Sequence, residues 1–494
     1  MKIILAGFNV DYETIKELAE HSKEKVHLTP EIFSAAYARI SRSTQSATEL
    51  RNMAKMEIEK ARKSNRNIIF RMGHHSVAEH AVFNFDIMGI SRLLAEELEQ
   101  FRLNSYTEKS QRYIKLTGNY VIPKEIKASK QLDTFKKAIQ EGITFYHELY
   151  TRIVTSEEKK LKMRPTVEEK MAIRLKANED ARYILSLSQK TQLGITINAR
   201  NLELLLRRFA SHGLAEARIF GRKIHGLVKK IAPSIILFYK ENDYDKRTYP
   251  ELRKFVKQYA AKRTLGSKTD VQLINCTKDA DTILIGAILH TSSNMAFGEA
   301  CTIAKSLNVN KRLEIVKKAF KYIELYDTAL REFEYIHMTF ELTVSASCFA
   351  QLKRHRMATI TCQYYDQELG VTIPRSIRDA GMEKAFRAIE KKANDLFFKI
   401  KKKHPQASQY VLTNAHRKRV LLSMNARELY HISRLREDEN AQWEIRDKTA
   451  KMIHLVKNKM PLTLLLIGGK DRYPEIYKHV FGKYPKVKKS ILPS

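Results

Sequence analysis

One feature restricts this chain more than any other: its two halves repeat each other in order. Phe83–Ile87 (FNFDI) matches Met338–Leu342 (MTFEL). Ser91 stands nine residues before Gln100, and Ser345 nine before Arg354. The tracts Gln100-Phe101-Arg102 and Arg354-His355-Arg356 then align, and INARNL (197–202) matches MNAREL (424–429). The offset is 356 − 102 = 254 residues at the first block and 425 − 198 = 227 at the second. The first half therefore carries about 27 more residues between the blocks, within 126–178. Two copies of one domain is the simplest account. The charged connector 240–247 (KENDYDKR), with Pro250 just beyond, reads as the least structured stretch. It sets a boundary near 245, between a first copy at 1–245 and a second at 246–494.

Helical spacing of apolar residues, with Lys and Glu on the other face, runs through 46–64, 126–152, 301–335, 380–404 and 441–459. Short strand-like runs sit at Lys2–Phe8, Ala81–Met88, Val271–Asn275 and His337–Val344. The pattern predicts a helix-rich α+β chain. With 43% hydrophobic residues in 494, a large core is available and global disorder is excluded. Four cysteines without a C-x-x-C pair exclude a disulfide scaffold and suit a reducing compartment. The apolar start at Met1–Gly7 is too short for a signal peptide, and no run approaches the ~18 apolar residues of a membrane span. The expectation is a soluble, cytoplasmic protein with no membrane partner. Lys and Arg number 89 against 55 Asp and Glu, a net charge of +34 that draws phosphates or nucleic acid.

Four motifs can carry chemistry. Gly73-His74-His75-Ser76-Val77-Ala78-Glu79-His80 reads as a hydrogen-bonded turn before a strand, a polar pocket wall, or a metal site; it lacks H-E-x-x-H spacing and an evident third ligand. Glu108-Lys109-Ser110-Gln111-Arg112 sets a hydroxyl and a guanidinium two apart, so in extended backbone both point to one side and can grip one phosphate; a solvated loop is the plain alternative. Gln351–Arg356 (QLKRHR) suits a pyrophosphate or a nucleic-acid backbone, or is simply a basic helix end. In the helix from Asn425 to Arg436, eleven residues at roughly 100° each return Arg436 to the stripe of Asn425, Leu429 and Ile432. An Arg on such a face needs an anionic partner, since burying it alone is costly. The first copy has Phe209 there, so the copies are chemically unequal.

Together these blocks resemble the flavin-dependent thymidylate synthase family, whose pattern runs G-H-x-S-x-x-E-H, R-H-R-x-x-S-x-x-E-x-S-x-R, then N-A-R-E-L to a catalytic Arg and A-Q-W-E-I-R. The likeness spans roughly 30–240 and 271–460. It implies a fold of two tandem copies, each helix-rich around a central antiparallel sheet. It implies reductive methylation of dUMP to dTMP with FAD, methylenetetrahydrofolate and NADPH, without a cysteine nucleophile. The first half keeps Gly73, His74, Ser76, Glu79, His80, Ser105, Glu108, Ser110, Arg112 and Arg182, but its R-H-R is Gln100-Phe101-Arg102 and its catalytic Arg is Phe209. The second half keeps Gln351, Arg354, His355, Arg356, Asn425, Arg427, His431 and Arg436, but has Cys362, Tyr364 and Asp366 for the phosphate grip, Gln409 for the nucleotide Arg and Tyr335 for the His. In the family the site lies between subunits of a homotetramer, so these complementary losses imply a fused pseudo-dimer, with two chains rebuilding a pseudo-tetramer.

By that resemblance Arg436 is the catalytic residue. Glu108, Ser110, Gln111, Arg112, Arg182, Gln351 and Arg354 bind the nucleotide. Ser41, Ser76, Arg354, His355, Arg356, Asn425, Arg427 and His431 hold FAD, and no metal is implied. Two rival readings stay open. A pseudoenzyme that binds flavin or nucleotide without turnover is suggested by Phe101, Phe209, Tyr364 and Asp366. A nucleic-acid binder is suggested by the lysines of 252–263, 391–403 and 478–489, though no basic tract is interleaved with aromatics.

Overall fold

Alternating side chains build two sheets of the same design. A computed structural model describes residues 1–11, 14–15, 28–40, 43–116, 118–161, 165–260 and 270–488. The first sheet holds β1 (Lys2–Phe8), β2 (Val82–Ser91), β3 (Ser105–Glu108) and β4 (Lys190–Asn198), in the order β1-β2-β4-β3. The second holds β5 (Val271–Cys276), β6 (His337–Ser345), β7 (Thr359–Cys362) and β8 (Arg417–Asn425), in the order β5-β6-β8-β7. All pairings are antiparallel. In β2, Phe83, Phe85 and Ile87 point inward, with Asn84 and Asp86 exposed between them. In β6, Met338, Phe340, Leu342 and Val344 do the same. The period of two puts one face of each sheet in the core. The register repeats as well: Ser105 pairs with Thr196, and Thr359 with Ser423. This is the expected helix-rich α+β fold in two copies.

By packing, the chain forms one compact unit from Met1–Thr264 with Pro374–Thr413, and a second from Leu265–Ile373 with Asn414–Ser494. The segment 374–413, which belongs to the second repeat by sequence, packs in the first unit. It carries a helix at Glu383–Lys401, against the two helices Leu132–Glu158 and Val167–Ala181 that the first repeat has in the corresponding stretch. That extra helix and the longer first one account for the additional residues. Among the described residues, no helix is long and apolar enough to cross a membrane.

Both units fix the entry to the helix after the second strand in one way. We label that helix α1 (Arg92–Leu98) in the first unit; α2 (Val167–Ala181), α3 (Ala199–Ala210) and α4 (Ala215–Val228) follow in it. In the second unit the equivalent of α1 is α5 (Ala346–Leu352), followed by α6 (Ala426–Arg436) and α7 (Trp443–Lys457). Ser91 caps α1, its Oγ accepting from Leu94 N–H at 2.9 Å. The same hydroxyl donates to Glu216 Oε2 at 2.6 Å, and Ser91 N–H donates to Oε1 at 2.9 Å. In the second unit Ser345 caps α5 by accepting from Cys348 N–H at 3.1 Å, while its hydroxyl and N–H both donate to Glu444. Each carboxylate comes from the helix that follows an Asn-capped one, α3 capped by Asn198 and α6 capped by Asn425.

Two stretches depart from the sequence expectation. The connector 240–247 is irregular only as far as Asn242, because a helix spans Asp243–Ala260, with Asp243 and Asp245 in its first turn and Pro250 accommodated inside. The region 301–335 is not one helical run. It breaks where Asn308 caps a new helix at Val309–Phe320, and a short 3-10 turn follows at Arg331–Tyr335. Replacing Ser345 with Ala removes both a cap and a carboxylate donor. It is expected to destabilise the second unit by about 1–2 kcal/mol, read as a lower denaturant midpoint in chemical unfolding.

Candidate functional site

In the second unit the chemistry gathers where α5 ends and α6 closes. Asn425 caps α6, its Oδ1 accepting from Glu428 N–H at 2.8 Å. Leu429 and Ile432 bury the apolar stripe, and Arg436 ends the helix half-buried. The Arg436 Nε–H donates to His355 Nε2 at 2.9 Å, and its Nη2 reaches the Gln351 carbonyl at 3.4 Å. Within this unit the contacts of Arg436 thus include two neutral acceptors. Burial holds the His355 imidazole well below its ordinary pKa, and Arg436 and His431 push the same way. With Nε2 accepting, the proton sits on Nδ1, which faces Glu428 Oε1 at 3.6 Å. Burial also raises the Glu428 carboxyl, which His431 opposes. The exposed His431 ring stands edge-on to His355 at 5.8 Å.

Around this corner, Arg354 and Arg356 are exposed and Gln351 is buried with its Oε1 lacking a hydrogen-bond partner. The tract is a helix end, as its plain reading had it. Arg427 is directed into its own unit. It donates to Ala329 O at 2.7 Å, Glu334 at 2.7 Å and Thr328 Oγ1 at 3.0 Å. Its counterpart Arg200 pairs with Glu79 at 2.6 Å in the first unit. Cys348, beside this site, is buried and its thiol is pushed well up, so it is no activated nucleophile.

The first unit has filled the equivalent corner with rings. Phe101 and Phe209 occupy the positions of His355 and Arg436, meeting edge to face at 5.9 Å, and Phe209 packs on Phe220 at 5.6 Å. Its polar residues collect elsewhere. Glu108, at the end of β3, is buried against Arg92, and Thr191 donates to its Oε1 at 2.9 Å. The strand stops there. Residues 110–112 turn rather than extend, because Ser110 Oγ accepts from Arg112 N–H at 3.1 Å. Arg112 Nε faces Glu179 at 2.8 Å, and Arg182, the C-cap of α2, donates to the Glu179 carbonyl at 3.1 Å. Burial pulls the Arg182 guanidinium below its ordinary range. Tyr183 and Glu179 oppose that, while Arg92 and Arg112 add to it. The Arg182 guanidinium therefore feels two other guanidiniums, those of Arg92 and Arg112, as well as Glu179. Gln111 is buried in the same loop.

The Gly73–His80 block is a 3-10 turn at His75–His80 before β2, with Gly73 at φ +77 and Ser76 exposed. Ser41 lies outside the described residues. Sequence reasoning missed Arg92 and Glu179; Arg92 left a trace, since the second copy has Ala346 in its place just where Glu108 becomes Cys362.

The family profile described as "Thymidylate synthase complementing protein" (Thy1) matches residues 25–234 and 272–462. The chain belongs to this family, the flavin-dependent thymidylate synthase family, with two matching regions in one polypeptide. A flavin-dependent thymidylate synthase of Clostridium tetani is 32% identical over 214 residues, 42% of this chain and 82% of that protein. A UPF0159 protein of Chlamydia muridarum is 26% identical over 398 residues, 77% of this chain and 75% of that one. Among solved structures, a UMP/dUMP methylase, PolB, from Streptomyces cacaoi bound with 5-Br dUMP is 16% identical, with a TM-score of 0.34, covering 47% of this chain and 92% of that one.

His355 supplies a pH prediction. Its folded pKa is depressed, so the unfolded chain binds a proton there that the folded one does not. Its contribution to stability is full above about pH 6.5 and is lost as pH falls below that value. The double variant His355→Phe, Arg436→Phe, which copies the ring pair of the first unit, is expected to weaken the acid-side fall in Tm, measured by thermal unfolding from pH 7.5 to pH 5.

Proposed function

We propose that this protein is a flavin-dependent thymidylate synthase that methylates dUMP to dTMP, organised as two sequence repeats, 1–245 and 246–494, with divided labour. The observation that carries the reading is the Arg436–His355 contact and its exchange for Phe209–Phe101 in the other copy. The second repeat keeps a guanidinium held by a neutral imidazole, suited to stabilising negative charge that develops on a uracil ring. The first repeat keeps Ser110, Arg112 and Arg182, a cationic cluster suited to a 5′-phosphate, with Glu108 and Gln111 in the same loop. Gln351 and Arg354 add nucleotide contacts in this reading.

The residues at the Arg436 corner fit a flavin dinucleotide. Exposed Arg354 and Arg356 suit its pyrophosphate, while exposed His431 offers ring surface and buried His355 supports Arg436 from behind. Ser41 and Ser76 belong to the same proposed set. Asn425 and Arg427 have their polar atoms engaged in a helix cap and in Glu334, so their share in holding FAD is indirect. Bound FAD supplies the hydride, with NADPH and methylenetetrahydrofolate as co-substrates. A homodimer in the cytoplasm completes the proposal.

The test is NADPH-dependent tritium release from 5-labelled dUMP, with the flavin spectrum read on the same samples. Arg436→Ala is expected to lower kcat by about 10²–10³ with the flavin band retained. Arg112→Ala and Arg182→Ala are expected to raise the KM for dUMP at least tenfold. A second reading, a pseudoenzyme, draws on the ring-filled Phe101–Phe209 corner. It predicts flavin and dUMP binding with no tritium release by the wild type. A colourless protein that cannot be loaded with FAD overturns both.

A further inference from the structure

Arg92 has no role in the reading above. It opens α1 directly after the capping Ser91, and only 8% of it is exposed. Burial works against its charge, yet Glu108, with Glu99 and Glu96 behind it, holds the guanidinium above its ordinary range. Glu108 is where β3 ends and the 108–112 loop begins. The next N–H, of Lys109, donates to Gln192 O at 2.9 Å, and the chain then turns through Ser110 to Arg112. Arg92 thus grips the first residue of the loop that carries the phosphate-side hydroxyl and guanidinium.

The second unit shows what the sheet does without this grip. Ala346, Cys362 and Lys418 stand where Arg92, Glu108 and Thr191 stand in the first. The Lys418 ammonium lies 3.8 Å from Cys362 Sγ, over the rings of Phe349 at 4.0 Å and Tyr365 at 4.2 Å. β7 nevertheless pairs with β8 in the register of β3 with β4. The strand pair therefore forms without the ion pair. The ion pair is absent in the one copy where Ser110 and Arg112 have become Tyr364 and Asp366. A buried pair is costly to assemble, and stability is a weak reason to keep it. What it accompanies is the loop.

We infer that Arg92 is a positioning residue: its ion pair with Glu108 sets the course of the 108–112 loop and so presents Ser110 and Arg112 to a nucleotide 5′-phosphate. This rests on the proposed nucleotide reading of that loop. Arg92 itself touches no substrate in this account.

The experiment is a double-mutant cycle on the full chain, with dUMP and deoxyuridine affinities measured by calorimetry. Deoxyuridine lacks the phosphate, so it separates loop placement from general damage. Arg92→Met and Glu108→Gln are each expected to weaken dUMP at least tenfold. The double variant is expected to be no weaker than the worse single, and Arg92→Met, at a residue that touches no substrate, is expected to keep deoxyuridine affinity within about twofold of wild type. If Arg92→Met does not fold, Arg92→Ala combined with Glu108→Cys, the residues the second unit carries, replaces it with the same expectation. Wild-type dUMP affinity in the Arg92 variants, purely additive losses, or an equal loss for deoxyuridine overturns the inference. A wild type that does not prefer dUMP to deoxyuridine overturns the nucleotide reading, and the inference with it.

Discussion

Each unit depends on a buried carboxylate that holds a serine cap. Glu216 and Glu444 accept from the N–H and the hydroxyl of Ser91 and Ser345, and that hydroxyl in turn satisfies the first turn of the next helix. One side chain thereby fixes the end of a central strand, the direction of the helix leaving it, and the distance to a helix much later in the chain. Desolvation raises the Glu216 carboxyl, and its hydrogen bonds with Ser91 and Tyr410 oppose that rise. An apolar replacement would leave the serine donors buried and unmet. This explains why the junction is the same in two copies whose surfaces have diverged so far. It also explains how α1 and α5 deliver the residues just beyond their ends, Gln100–Arg102 and Arg354–Arg356, to equivalent corners.

At those corners the copies differ by whole pairs. His355 with Arg436 is a satisfied polar contact; Phe101 with Phe209 is a satisfied apolar one. A mixed pair is neither. Phe beside a half-buried Arg436 removes its acceptor, and Arg beside Phe101 would carry a charge into the contacts that Phe209 makes with Phe220. Arg92 and Glu108 against Ala346 and Cys362 follow the same rule. Divergence in pairs is what packing and desolvation demand when a site is given up without giving up the fold.

Much of this was legible in sequence, and the exceptions have causes. The run Lys2–Phe8 is β1 as read, and the runs at 81–88, 271–275 and 337–344 lie within a residue or a few of their strands, because their apolar residues are dense. β4 and β8 are central to the two sheets but were not singled out. KTQLGITIN and RKRVLLSMN begin on charged or polar residues, and a lysine occupies an inward position of β8. Lys418 is tolerated there because two rings take its ammonium. The charge of 240–247 and Pro250 suggest a loose connector, but from Asp243 the acids and bases are ordered as a helix dipole favours. At the site, the motif residues were legible. Their in-unit partners were not: Glu179 for Arg112 lies 67 residues away (179 − 112 = 67), on a helix the other copy has no counterpart for.

The net charge of +34 describes the whole chain, but the charges that matter are those that cannot relax. Lysines on exposed helix faces sit in water and are screened within about 8–10 Å. Arg92, Arg112 and Arg182 are different, since the first and third are buried and Arg182 feels the charge of both others. Glu108 and Glu179 offset part of that repulsion and so keep the cluster assembled in the absence of a ligand. Arg182, whose pKa burial and its two neighbours depress, retains a net gain from any further negative charge.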